Sequence, residues 1–448
     1  ADVIVIDRFK RVGNESLDSN ASVNCGDGDA MIGTNTDTFH YLTEANIPYA
    51  RLHDVGGWFG GNLFVDIPNI FRNFDADEND PASYEFEFTD ILIKGLMDAK
   101  CEPVYRLGVT IENFYEITAF RIFPPADMAK WARICEHIIR HYNEGWANGF
   151  RYNIQYWEIW NEPDGHPDMM QNGMWRATPE EYFELYRITS KHLRTCFGDS
   201  IKIGGYASCG FHKIKDAQDV TGEAFGITNE LSDWDKRVNH FMNFFYQFID
   251  MVTTEKLPLD FFTWHSYSQP ADNIRMQKFC EKYLEKAGLG DIEIHLNEWN
   301  PNPHLRDRGT SFACANAVAN LCGLQDTKMA MMCYYDARLG PSVYGGLFNP
   351  LNHQPLCAYY GFQAFGKLYA LGTQIACSCD NNDMYATAAT TGEETSVLLT
   401  NLGEQTTVEL NVPHFKAYLI DQNNTYTEME VQDNRFNVEK HQVIYIEI

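Results

Sequence analysis

The stretch Ile154-Gln155-Tyr156-Trp157-Glu158-Ile159-Trp160-Asn161-Glu162-Pro163-Asp164 reads as a short apolar strand that stops at Trp160 and hands over to polar residues. A loop follows, and then Thr178-Pro179-Glu180-Glu181, a helix start with a capping Thr, Pro at the first position and Glu at the third. Tyr182, Leu185, Tyr186, Leu193 and Cys196 then fall on one face, and Gly198 follows the end. This strand–loop–helix unit recurs. Strands are predicted at 48–53, 103–107, 201–206, 260–267, 293–297 and 328–335, with a first one near 22–31. Asp127 opens another helix, whose Trp131, Cys135, Ile138 and Tyr142 repeat with the 3.6-residue period.

Eight such units predict an α/β chain folded as a (β/α)8 barrel. A doubly wound open sheet competes, but no G-x-G-x-x-G follows an early strand. Beyond Gly372 the texture changes to alternating runs broken by Asn, Gly and Asp, which predicts an antiparallel β-sandwich. The apolar run 2–6 has no helix after it and is expected to donate a strand to that sandwich. The expected domains are therefore a barrel over 13–372 and a sandwich from 1–12 plus 373–448.

Composition excludes several functions. Against 35 basic residues stand 62 acidic ones, a net charge of −27, which disfavours nucleic acid and anionic membrane as partners. No run approaches the length of a membrane span. The 12 Cys include no C-x-x-C pair and no zinc-ligand spacing, so reduced thiols in a cytoplasmic protein are expected. A chain that starts at Ala1 equally fits a secreted or periplasmic protein whose leader was removed. Aromatic residues make up 14% of the chain, through either core packing or platforms for flat ligands such as sugars.

A barrel of this kind carries its functional groups at the C-terminal ends of its strands. Two carboxylates stand out there, Glu162 after strand four and Glu298 after strand seven, each directly after an Asn. Those strands are not neighbours, so the two acids can face each other across the mouth. Cleaving a glycosidic bond needs such a pair, one protonated and one ionised. No cofactor motif is present. His53 and Asp54 lack a second ligand pair at useful spacing, so no metal is expected. Arg51, on a strand, either orients a catalytic carboxylate or forms a plain salt bridge. Trp299 either walls the sugar subsite or packs in the core.

The segments Trp157–Asp164 and Asn297-Glu298-Trp299-Asn300 together resemble glycoside hydrolase family 39, the retaining barrel glycosidases that include β-xylosidases and α-L-iduronidases. Arg51-Leu52-His53, His265-Ser266-Tyr267 and Tyr335-Asp336 occur in the family's order. The resemblance implies Glu162 as acid/base and Glu298 as nucleophile. It implies Asn161 on the sugar 2-hydroxyl, Tyr267 beside the nucleophile, His53 and His265 on sugar hydroxyls, and Asp336 lining the site. It implies a retaining exo-acting enzyme on oligosaccharides or glycosides, β-xylosidase-like. Endo action, another sugar (arabinosyl, galactosyl or uronosyl) and an inactive sugar-binding protein remain as alternatives. Tyr267 stands where iduronidases place a Lys, against a uronic acid, although Arg338 after strand eight could still bind one. The loop 55–79, with Trp58 and Phe59, either covers the site or packs on the surface. Oligomeric state is not legible.

Overall fold

The computed structural model describes residues 3–7, 39–55, 65–112, 121–301, 304–337, 344, 346–349 and 352–448, with backbone alone at 3–7 and 305. Eight parallel strands close a barrel in chain order: β1 (Val3–Asp7), β2 (Tyr49–Leu52), β3 (Glu102–Leu107), β4 (Tyr156–Ile159), β5 (Lys202–Ser208), β6 (Phe261–Ser266), β7 (Glu293–Trp299) and β8 (Met329–Tyr335). The two helix starts form as the sequence predicts. Thr178 and Glu181 make a reciprocal capping box, and the Asp127 side chain accepts from the Lys130 amide.

One expectation is corrected. The run 2–6 does not join the C-terminal domain: β1 pairs with β2 and with β8, from Val3 opposite Met331 to Asp7 opposite Tyr335. The physical reason is closure, since without β1 the edges of β2 and β8 would lie open. A near-continuous apolar run is also the pattern of a parallel strand covered on both faces. The strand expected near 22–31 lies outside the described residues.

The C-terminal part holds β9 (Thr373–Ile375), β10 (Met384–Thr390), β11 (Thr395–Asn401), β12 (Thr406–Glu409), β13 (Lys416–Asp421), β14 (Asn424–Glu428), β15 (Arg435–Val438) and β16 (Val443–Glu447). Six form an antiparallel sheet in the order β14-β13-β16-β11-β10-β9, and β12 pairs with β15. Val397, Leu399, Ile444 and Ile446 pack against Phe436 and Val438 of that pair. The opposite face, with Leu398, Ile420 and Tyr445, joins the core of the barrel's helical layer.

Period-two alternation sorts the barrel residues. Tyr105, Trp157, Ile203, Phe262, Leu296 and Met332 point outward into the helical layer. Val104, Tyr156, Phe261, Met331 and Cys333 form an apolar floor inside the barrel. The polar residues Arg51, Arg106, Glu158, Thr263 and Asn297 are all fully buried as well. Gly204 pairs between Glu158 and Phe261, and a Cβ there would meet the Phe261 ring and carbonyl oxygen at 2.5 Å. Gly204→Ala should therefore lower stability by about 1–3 kcal/mol, read from urea unfolding. An unchanged midpoint would show that the floor has slack.

Candidate active site

The site is built on Arg51 of β2. Its side chain is wholly buried, and Nε donates to Glu158 Oε2 of β4 at 2.7 Å. Nη2 reaches Asn161 Oδ1 at 2.5 Å, and Nη1 lies 3.4 Å from Glu298 Oε2 of β7. The second oxygen of Glu158 accepts from Asn297 Nδ2 at 2.5 Å. Burial alone would push the Glu158 carboxyl up, but Arg51 and the Thr263 hydroxyl more than offset it, so its pKa lies below the usual value. Glu158 is thus the anion that balances Arg51.

Glu162 and Glu298 meet across this base. His265 Nδ1 lies 2.7 Å from Glu162 Oε1 and 3.5 Å from Glu298 Oε2. An oxygen of each carboxyl and a nitrogen of His265 all lie within 4.8 Å of one another. Tyr267 donates its hydroxyl to Glu298 Oε1 in a short hydrogen bond. Burial raises Glu162 to about 7, against the pull of Arg51 and Arg237. Burial and the Glu162 charge raise Glu298, while Arg51 and the Tyr267 hydrogen bond pull the other way. Glu298 accepts from Tyr267 and faces Arg51, so the ionised form is better supported there and the shared proton favours Glu162.

His265 is pushed down to about 4, chiefly by burial, and is neutral at pH 7. Asn297 donates to Glu158, which leaves its amide oxygen to favour a ring N–H of His265. Nε2 of His265 and Oδ1 of Asn297 are both buried with no hydrogen-bond partner among the described residues. Nδ1 faces Glu162 Oε1 at 2.7 Å, within hydrogen-bond distance.

Local geometry aims these groups. The pairing of β6 with β7 shifts register between Trp264 and His265, setting His265 opposite Glu298. Such an irregularity re-aims side chains next to it. Glu162 itself has φ 42°, a left-handed conformation, and its amide is held by the Ala207 carbonyl at 3.1 Å.

The structure brings Glu162, Glu298, Arg51, Asn161, His265 and Tyr267 together. His53 is committed within the protein: Arg106 Nε donates to its Nδ1 at 3.1 Å, and its Nε2 lies 3.3 Å from Asp54 Oδ1. A sugar contact would share that Nε2–H. Trp299 does not wall an open subsite. It is fully buried, edge-on to Tyr334 at 5.2 Å and stacked near Phe362 at 6.1 Å, because it points outward from β7 into the helical layer. Asp336 is buried, with its charge acting on Arg308. Arg338 and Trp58 lie outside the described residues.

Sequence reading assigned no role to Glu158, Asn297, Thr263, Asp164 or Arg237. Period-two parity from Ile159 was the signal that turns Glu158 inward toward Arg51. Asp164 is wholly buried, accepts from the Cys209 amide at 3.0 Å, and is raised to about 7 by burial and by Glu162.

By ligand type, Glu162, His265 and Glu298 could hold a cation. The Arg51 guanidinium and the Tyr267 hydroxyl already occupy the two Glu298 oxygens, and the positive charge of Arg51 opposes a second cation. Glu136, His192 and Cys196 form another such group on the outer helices, where Arg140 competes for Glu136 at 2.7 Å.

A closed parallel barrel with two carboxyls facing across its mouth is the framework of a glycosidase. The model of glycosyl hydrolases family 39 matches residues 35–327, and the chain belongs to that family. A β-xylosidase from Geobacillus stearothermophilus is 23% identical over 283 residues, 58% of this chain and 47% of that protein. One from Caldicellulosiruptor saccharolyticus is 24% identical over 359 residues, 72% of this chain and 63% of that protein. The chain therefore spans from about half to just under two thirds of these relatives. A family 39 β-xylosidase structure from Caulobacter crescentus superposes with a TM-score of 0.67 at 15% identity, over 99% of this chain and 95% of that one. At that identity the likeness concerns the fold.

Arg51→Met should cost about 3–5 kcal/mol in denaturant unfolding, because it strands the Glu158 charge. Arg51→Met with Glu158→Leu should recover part of that loss. Equal losses in the single and the double variant would show that the pair is not coupled.

Proposed function

We propose that the chain is a retaining exo-glycosidase that removes β-linked xylose from oligosaccharides, with Glu162 as acid/base and Glu298 as nucleophile. The observation that carries this reading is the close approach of the two carboxyls, one oxygen of each lying within 4.8 Å of the other. Retaining pairs stand roughly 5–5.5 Å apart, whereas inverting pairs need about 6.5–9.5 Å to admit a water. The names of the curated relatives support xylose as the sugar.

In the first step Glu298 attacks the anomeric carbon as the bond to the leaving oxygen breaks. Glu162 gives that oxygen its proton. The glycosyl ester removes the negative charge of Glu298, so Glu162, now ionised, is stabilised as a base. It takes a proton from water as the water attacks the anomeric carbon, and Glu298 departs as carboxylate. Tyr267 and Arg51 release and regain an anion in each cycle, and their fixed donors need no reorganisation.

A panel of aryl β-glycosides tests the reading, with the anomeric product followed by NMR. Turnover of the xyloside with retention is expected, and no turnover of any member would overturn it. Glu298→Ala should lose nearly all activity, with azide restoring turnover.

The pH dependence has a definite sign. An acid must be protonated in the free enzyme, so kcat/KM should fall as pH rises through the Glu162 pKa of about 7. Glu162→Ala should remove that limb and should be slowest on poor leaving groups. A basic limb that persists in this variant would assign the titration to another group.

A further inference from the structure

We propose that Trp234 and Arg237 form a leaving-group subsite that takes a second pyranose ring. The inference rests on Glu162 being the proton donor, because the leaving group then departs on the side of the chain that follows Glu162. That segment is tied to one helix end. The Gly165 amide donates to the Glu162 carbonyl at 3.2 Å, and the Gly165 carbonyl accepts from Arg237 Nε at 3.1 Å. His166 Nε2 lies 3.2 Å from Asp233 Oδ1, at the start of the helix Asp233–Glu255. Trp234 is the next residue.

Trp234 is the exposed indole of this region, with 51% of its surface open, while Trp157, Trp160, Trp175, Trp264 and Trp299 are buried. It is not a loose side chain. The Arg237 guanidinium lies 5.7 Å from its ring, and the His212 ring lies 5.5 Å away. His212 hangs from the loop after β5, its Nε2 at 3.1 Å from the Cys209 carbonyl. An indole braced by a cation and an imidazole is a fixed platform with one open side.

Arg237 supplies the polar half. Its charge acts on Glu162, which sets the two within electrostatic reach. Only Nε has a protein acceptor among the described residues, so the terminal N–H groups are available to a ligand. An apolar platform beside free donors suits a ring with one apolar face and hydroxyl acceptors at its edge, which is a pyranose. An aryl group would use the platform alone. Arg237 also pulls the Glu162 proton toward release, the direction that protonation of a sugar leaving group requires.

The test compares wild type, Trp234→Ala and Trp234→Phe on β-xylosyl fluoride, phenyl β-xyloside and xylobiose. Fluoride leaves without filling the subsite. Trp234→Ala should lose roughly tenfold more kcat/KM on xylobiose than on the fluoride. Trp234→Phe, which keeps a ring, should recover most of it. A larger loss on xylobiose than on the phenyl xyloside assigns the ring to a sugar, and a loss on the phenyl xyloside alone would overturn that assignment. Equal losses on fluoride and xylobiose would overturn the subsite while leaving the glycosidase intact. A wild type that cleaves none of the three would overturn the glycosidase reading and the subsite with it.

Discussion

The site depends on one buried cation. Arg51 sits at zero exposure and touches β4 through Glu158, the turn after β4 through Asn161, and β7 through Glu298. β2 is not a neighbour of either strand in the closed sheet, so these contacts span the barrel's width. Burying a guanidinium is costly unless its donors are matched, and here three separate acceptors match them. A Lys ammonium could carry the charge but not the forked geometry, which is what fixes Asn161 and Glu298 relative to one another.

Charge balance around Arg51 accounts for the proton chemistry. Among the described residues, Asp54, Asp66, Glu158, Asp164 and Glu298 are buried carboxyls beside the partly exposed Glu162, and Arg51 and Arg106 are the buried arginines. Carboxyls in such excess cannot all ionise away from water. Glu158 keeps its charge because Arg51 and Thr263 hold it. The protons collect where burial outweighs the lowering contacts, on Glu162 and Asp164, both raised to about 7. His265, pushed down to about 4, carries no charge of its own near pH 7 and does not compete for the Glu162 proton. A carboxyl raised to about 7 thus follows from burial that Arg51 and Arg237 do not offset.

Much of this was legible in the chain. β2 through β8 announce themselves as short apolar runs, and the two Asn-Glu pairs stand at the strand ends where the barrel collects its chemistry. The misreadings have local causes. Residues 2–6 carry no helix after them, so nothing nearby says that β8, more than 300 residues later, will close onto them. Trp299 follows an acid and resembles a sugar platform, but its side of β7 became clear only once the register shifts beside Glu298 were placed. Glu158 lay in plain view, yet its role needs Arg51, 107 residues away. Asp164 and Arg237 act through loops, where spacing in sequence says little about distance in space.

The aromatic excess finds its explanation in stiffness. Trp160, Glu162 and Ala207 all adopt left-handed backbone, with φ of 72°, 42° and 59°. Each costs free energy that the surroundings must supply. Trp160 is wedged between Trp131 and Trp175 at 6.0 and 5.1 Å, and its indole donates to the Met174 carbonyl at 2.9 Å. Ala207 donates its amide to Thr263, the same side chain that steadies Glu158. The aromatic shell thus locks the backbone that presents Glu162, and the polar network locks the carboxyl it meets. A glycosyl transfer between two carboxyls tolerates little misplacement, since an ångström of error can cost a hundredfold in rate. Trp131, Trp160 and Trp175 therefore hold rigid the turn that carries Glu162.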